Sequence, residues 1–302
     1  MSRQAKSPGI SYHDQGYWDE RFTSDPRETK GFEWLSSGNE LFERSVEIIS
    51  AQSEKVPSEQ TKILHIGVGT SSLSIQIVRW LHATYPQDWR QRASRIVNVD
   101  FSPLSIKFQR QLERDFLKEI SESEQRSDHD FIDGTGREQD DLMVYHVVDL
   151  LNYKNVQDTL GKCCFHLILD KSTTDSISTA PDLTSDEVVT SVAGKHHADV
   201  YKLASSYHRD GAHVKIPWAQ ILALNLHCVA VDDATWLCHS YSSDRWQDSV
   251  QNAEGTLWCW VQKSKLPVAV PNTSADVNAP ALYHYIYEMR MTDEPQQTSI
   301  QL

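Results

Sequence analysis

The chain predicts an α/β fold: a doubly wound, mostly parallel sheet of seven strands, closed at its C-terminal end by an antiparallel hairpin. Three observations carry this. Short apolar runs alternate with amphipathic stretches of helical period along most of the 302 residues, the pattern of a parallel sheet covered on both faces. The first run, Ile63 to Ile66, stops at Gly67-Val68-Gly69 and opens into a helical stretch through Thr70-Ser71-Ser72. The second run, Arg95 to Asp100, ends in an acid 31 residues after Gly69.

The elements follow in order. Residues 1–16 are polar and are expected to be disordered. Residues 17–61 hold Tyr17-Trp18-Asp19-Glu20-Arg21-Phe22, then Phe32-Glu33-Trp34-Leu35, then a helical pattern through Leu41, Val46, Ile48 and Ile49, with a polar linker at 53–61. The main domain spans 62–291. Its first helix, about 72–83, presents Leu73, Ile75, Ile77, Val78 and Leu81 on one face. Residues 82–94 are an insertion before the second strand. Ser102 and Pro103 suit a cap and a first helical position, and that helix is expected to end near Lys118. A polar, solvated loop is expected over 119–141. Strands are expected at Met143–Val147, followed by Asp149, and at Phe165–Asp170, with a short helix at 154–160 between them. Long helical patterns at 186–208 and 217–230 precede strands at Thr235–Tyr241, Leu257–Val261 and Tyr283–Met289. The tail, 292–302, is expected to fray.

Glycines let a backbone approach a ligand closely because no Cβ intervenes. A helix start adds free N–H groups and a positive dipole end, suited to a carboxylate or phosphate. An acid at the tip of the second strand is placed for both hydroxyls of a ribose. The ligand expected here therefore contains a nucleoside. Dinucleotide sites favour G-x-G-x-x-G, whereas this loop carries Ser72 at the third position. That favours S-adenosylmethionine over a nicotinamide cofactor, for which NADH binding is the discriminating test.

Composition narrows the partners. The formal net charge is −13 and no Lys/Arg stripe appears, which argues against nucleic acid and is compatible with a cationic or amine-bearing substrate. No apolar run approaches a membrane span of about 20 residues, and the first residues lack an apolar signal core. Five irregularly spaced cysteines point to a reducing compartment, so a cytoplasmic location is expected. No metal is expected: Cys163-Cys164, Cys228, Cys238-His239 and the His196-His197 and His208/His213 pairs lack the short ligand spacings of a zinc site. Neither a G-x-S-x-G elbow nor a Walker loop occurs.

Four motifs, HIGVGTSSLS (65–74), IVNVDFSPLSI (96–106), VVDLLN (147–152) and LILDKSTTDSI (167–177), together resemble the class I S-adenosylmethionine-dependent methyltransferases with their Rossmann-like fold. With Tyr17-Trp18-Asp19-Glu20-Arg21-Phe22 upstream, the fourth is similar to the elongation-factor lysine methyltransferase-like branch, over roughly 17–265. Ser172 and Ser176 depart from that branch's glycine and alanine, and 119–141 and 209–231 look like insertions where acceptor choice is set. The resemblance implies a cofactor lid at 17–61, and cofactor contacts from Tyr17, Trp18, Arg21, Gly67, Gly69, Thr70, Asp100, Phe101, Asp149, Leu150 and Asp170. Asp100 would take the ribose, Phe101 and Leu150 would flank adenine, Asp149 would accept from its amino group, and Arg21 would pair with the methionine carboxylate. At the acceptor, Asp170, Trp18 and Tyr241 are the catalytic candidates, with Trp34 as a further aromatic wall and Asp175 a lesser candidate. Ordinary structural readings stand beside these: Asp149 and Asp170 as helix caps, Arg21 as an ion pair, Tyr17 and Trp18 as a staple, Trp34 and Tyr241 as core. The expected activity is methyl transfer to an amine nitrogen, of a protein lysine or a peptide. The alternatives are a small natural-product acceptor and a catalytically idle cofactor-binding regulator.

Overall fold

The computed structural model describes residues 10–28, 31–55, 61–125, 141–209, 215–246, 260–270 and 282–291. Residues 1–9, 257–259 and 292–302, on which part of the N-terminal, hairpin and tail expectations rest, lie outside them.

Helices α1 (Gln15–Ser24) and α2 (Asn39–Lys55) precede the sheet. Then come β1 (Ile63–Ile66), α3 (Leu73–Thr84), α4 (Trp89–Ala93), β2 (Ile96–Asp100), α5 (Pro103–Gln125), β3 (Val144–Val147), α6 (Tyr153–Leu160) and β4 (Phe165–Lys171). After α7 (Thr173–Ile177) the chain runs through β5 (Leu183–Thr184), α8 (Ser185–Val189), α9 (Ala198–Arg209), β6 (Lys215–Ile216) and α10 (Trp218–His227). Three long strands close the fold: β7 (Ala230–Ser240), β8 (Trp260–Val270) and β9 (Leu282–Met291). The main sheet has seven strands in the order β3-β2-β1-β4-β7-β9-β8. The first five are parallel, with Ile63 opposite both Ile96 and Leu167. Strand β9 runs antiparallel to both β7 and β8. This is the Rossmann-like methyltransferase fold. From β1 the chain moves outward through β2 to β3 and then crosses back to β4 on the other side of β1, and that reversal opens a crevice at the strands' C-terminal ends.

Every residue of β1 and β2 is buried, as strands covered on both faces must be. One face packs Leu41, Ile77, Leu81, Ile106 and Phe116 from α2, α3 and α5 against Leu167, Leu169 and Leu237. The other packs Val156, Leu160, Leu222 and Leu226 from α6 and α10 against Ile66, Val99 and Trp236. A smaller cluster joins α8, α9 and the antiparallel β5–β6 pair through Val188, Val200 and Ile216.

Several boundaries move for identifiable reasons. Helix α5 continues to Gln125 because Phe116, Leu117 and Ile120 extend its buried face; only 126–140 of the expected loop lies outside the described residues. The single helix expected at 186–208 is two. Thr184 and Glu187 form a reciprocal capping box that starts α8, and Gly194 (φ 83°) turns the chain before α9. The insertion at 82–94 is tied down by buried Trp89 and Ala93 of α4.

One buried acid anchors β3. Glu113, 1% exposed, accepts from Leu142 N (2.5 Å), Met143 N (2.8 Å) and the Tyr145 hydroxyl (3.0 Å). Glu113→Gln points an amide NH2 at one of those donors. The expected loss is about 1–3 kcal/mol, the cost of an unsatisfied buried group, read as a lower urea midpoint at an unchanged slope.

Candidate active site

At the C-terminal ends of the parallel strands lies a cavity of about 750 Å³, walled by the glycine turn, the tips of β2 to β4 and the α1–α2 region. Strand β1 ends at Ile66 and the chain turns through Gly67 (φ 54°) and Gly69 (φ 49°), both left-handed. The turn is held from outside: Gln109 Nε2 donates to Gly69 O (3.0 Å) and Ser71 O (2.8 Å), and Ser105 Oγ donates to Gly69 O (3.0 Å). Its inner side is closed by Thr173, whose hydroxyl donates to Ile66 O at 3.0 Å.

Asp100 sits where β2 meets this turn. Its Oδ2 accepts from Gly69 N and its Oδ1 from Ser102 N, both at 2.9 Å. It lines the cavity while only 4% exposed. Burial pushes its pKa up, against the opposing pull of those N–H donors. The Ser105 side chain also acts on the carboxylate, which keeps acceptor capacity beyond these contacts. Phe101, Asp149 and Leu150 line the same end. Asp149 is exposed and its Oδ1 accepts from Leu151 N at 3.0 Å, while its own N–H donates to Asn155 Oδ1 at 2.8 Å.

The N-terminal segment covers the cavity. Trp18, buried, donates through Nε1 to Tyr12 O (2.6 Å) and meets Trp34 edge-on with centroids 5.4 Å apart. Helix α1 is pinned to the β2 tip by Gln15 Nε2 to Phe101 O (2.9 Å) and by the Ser102 hydroxyl to Asp19. Residues 10–14, within the stretch expected to be disordered, lead into this cover; Tyr12 packs on Tyr17, Trp18 and Trp34.

The cavity thus gathers Trp18, Trp34, Gly67, Gly69, Thr70, Asp100, Phe101, Asp149 and Leu150 of the expected residues. Tyr17, Arg21, Asp170, Asp175 and Tyr241 do not line it. Arg21 pairs with buried Glu28 (Nε to Oε1, 2.5 Å) and donates to the Tyr17 hydroxyl (3.1 Å), so both side chains are engaged beside the cavity. Asp170 is fully buried and caps α7, accepting from Thr173 N (2.9 Å), Thr174 N (3.3 Å) and the Thr174 hydroxyl. Burial raises its pKa to about 6. Tyr241 is 53% exposed, with the Arg245 guanidinium 5.4 Å from its ring centroid. Asp175 is spent on Arg245 (2.5 Å), the Ser240 hydroxyl (2.5 Å) and Tyr241 N (2.9 Å).

Three residues at the site escaped the motif reading. Glu28, 1% exposed, accepts from the Thr70 hydroxyl at 2.7 Å as well as from Arg21. Glu33 accepts from Ser72 N (2.7 Å), the Ser72 hydroxyl (2.5 Å) and the Ser71 hydroxyl (3.1 Å), and pairs with Lys171. Lys171 lines the cavity and is 7% exposed; burial lowers its pKa and Glu33 opposes that. The available signals were an acid flanked by aromatics, Phe32-Glu33-Trp34, and a lysine directly after the acid that closes the Leu167–Leu169 apolar run. No helix among the described residues is long and apolar enough to cross a membrane.

No family model matches the chain. It is 26% identical over 284 residues to Methyltransferase srdJ of Neurospora crassa, covering 94% of this chain and 85% of that protein. Among solved structures, magnesium protoporphyrin IX methyltransferase (ChlM) from Synechocystis PCC 6803 with bound SAM aligns at a TM-score of 0.45 and 10% identity, over 95% of this chain and 100% of that one. N-methyltransferase NodS from Bradyrhizobium japonicum WM9 with S-adenosyl-L-homocysteine aligns at 0.42 and 9%, over 93% and 99%. The strand order and the Neurospora relative support a place for this chain in the class I S-adenosylmethionine-dependent methyltransferase superfamily.

Proposed function

We propose that the chain is an S-adenosylmethionine-dependent methyltransferase acting on an amine nitrogen. One observation carries the reading: a buried carboxylate, Asp100, fixed on the N–H of a left-handed glycine turn at the edge of an aromatic-walled cavity. The residues present fit the cofactor. Asp100 keeps acceptor capacity for two ribose hydroxyls, Phe101 and Leu150 offer apolar faces for adenine, and Asp149 is exposed to the cavity for its amino group. The glycine turn leaves backbone accessible where a side chain would intrude. The cofactor brings a methyl group already activated on a sulfonium, so the chain's residues have to align the acceptor and exclude water.

Trp18, Phe22, Phe32 and Trp34 supply the water-excluding wall. Such rings attract an ammonium by cation–π contact, at about 0.5–2 kcal/mol each, and the low polarity around them favours the neutral amine that attacks. A free lysine amine, with a pKa near 10.4, needs that help. A small natural-product amine is the second reading, favoured by the cover that Tyr12, Trp18 and Trp34 form over the site.

The test has two stages. Calorimetric titration with S-adenosyl-L-homocysteine is expected to show one site per chain. Tritium from labelled cofactor is then expected to enter an amine in a size-fractionated cell extract, with the size of the labelled fraction deciding between protein and small acceptors. Binding without transfer would leave an idle regulator; a silent titration of folded protein would refute the reading.

A further inference from the structure

The wall of the cavity contains a cation that the ribose and adenine residues do not use. Only one buried positive side chain lines the cavity among the described residues: Lys171, since Lys195 and His13 are exposed. The neighbouring basic groups on that face, His65 and His239, are held neutral by burial, with pKa values of about 3. The guanidinium expected to meet the methionine carboxylate, Arg21, lies off the cavity wall and is bound to Glu28 and Tyr17.

The order of strands gives Lys171 its place. The tips run β3, β2, β1, β4, carrying in turn Asp149 with Leu150, Asp100, the glycine turn and Lys171. A nucleoside held by Asp100 with its base toward β3 has its sugar substituent directed over the turn toward β4. Two strand spacings of about 4.8 Å separate β2 from β4, the span of the amino-acid arm beyond the sugar. Thr173, two residues past Lys171, packs directly beneath Gly67, so the lysine belongs to the wall of that turn.

This corner already holds a carboxylate. Glu33 is gripped by Lys171, by Ser72 N (2.7 Å) and by the Ser71 and Ser72 hydroxyls (3.1 and 2.5 Å). An ammonium has three donor hydrogens, and Glu33 is the one hydrogen-bond partner of Lys171 among the described residues.

We propose that Lys171, rather than Arg21, is the cation that receives the amino-acid carboxylate of the cofactor, with Glu33 positioning its ammonium at the glycine turn. The inference rests on the cofactor reading above. It makes Lys171 a binding residue and Glu33 a positioning residue.

The test compares two ligands that differ only in the arm. S-adenosyl-L-homocysteine carries the carboxylate; methylthioadenosine carries the same nucleoside and sulfur without it. In calorimetry on the full chain, Lys171→Met is expected to weaken S-adenosyl-L-homocysteine about 10- to 100-fold, the loss of a charged hydrogen bond. Methylthioadenosine should stay within about twofold, which also shows that the variant is folded. Lys171→Arg should recover most of the loss, and Arg21→Gln should leave the ratio of the two affinities unchanged. Equal weakening of both ligands by Lys171→Met, no weakening of either, or a selective loss in Arg21→Gln would overturn the assignment. If the unaltered chain binds neither ligand, the cofactor reading itself fails, an outcome distinct from these.

Discussion

Asp100→Asn is expected to abolish useful cofactor binding. The carboxylate is the group proposed to take two ribose hydroxyls. Hydrogen bonds to a charged group contribute about 1.5–3 kcal/mol each, so losing both costs about 3–6 kcal/mol, roughly two to four orders of magnitude in Kd. The amide keeps one oxygen and so retains a partner for one of Gly69 N and Ser102 N, not both. Against that loss stands the burial of a charge in an environment that raises its pKa. A carboxyl whose folded pKa lies above its unfolded value favours folding below the unfolded pKa, and that contribution is lost as pH rises through the folded one. At neutral pH the neutral amide removes that ionisation cost and in exchange leaves one buried N–H unpaired, so the two effects on stability oppose each other. Binding depends on pH in the opposite sense: the ligand needs the carboxylate, so affinity should fall as pH drops through the raised pKa. Calorimetry against methylthioadenosine isolates the nucleoside end from the arm. Undiminished affinity in this variant would remove the ribose assignment and the functional reading with it.

The glycine turn and Asp100 were legible because their signals are local. An apolar run, a pair of glycines and an acid at the next strand's end lie within forty residues and need no knowledge of tertiary contacts. The parallel sheet and its closing hairpin followed from the same alternation. What the sequence obscured was which way neighbouring side chains turn. Asp170 and Lys171 both stand at the tip of β4, and successive strand residues face opposite sides, so only one of them reaches the cavity. Lys171 lines it, and Asp170 is turned to the start of α7. The motif pattern drew attention to the acid, and nothing short-range distinguished the two. The pairing of Lys171 with Glu33, 138 residues away, and of Thr70 with Glu28, 42 away, depends on the N-terminal segment folding back over the strand tips. No periodicity encodes that return. Arg21 illustrates the same limit: its charge was visible, while an acid seven residues on and the Tyr17 hydroxyl hold it behind the Trp34 ring that lines the cavity.

Gly67→Ala is expected to be the most destabilising single change at the site, and its contrast with Gly69→Ala tests why the turn has its shape. Both glycines are left-handed, at φ 54° and 49°, and an alanine there costs about 1–2 kcal/mol in either place. The surroundings differ. A Cβ on Gly67 would lie 2.1 Å from Thr173 Oγ1, 2.7 Å from its Cγ2 and 2.9 Å from its Cβ, whereas one on Gly69 meets nothing nearer than 4.0 Å. Thr173 cannot easily withdraw, because its hydroxyl donates to Ile66 O and its N–H to Asp170. Overpacking of this kind adds about 1–3 kcal/mol, for a total of about 2–5 kcal/mol at Gly67 against the conformational cost alone at Gly69. Urea midpoints of the two variants measure the difference. Thr173→Ala in the Gly67→Ala background removes the two nearest atoms and should restore part of the loss, leaving the Cβ at 2.9 Å as the residual contact. Equal midpoints for the two alanine variants would mean that Thr173 does not brace the turn, and the wall on which Lys171 stands would then have no fixed relation to the backbone beneath the cofactor.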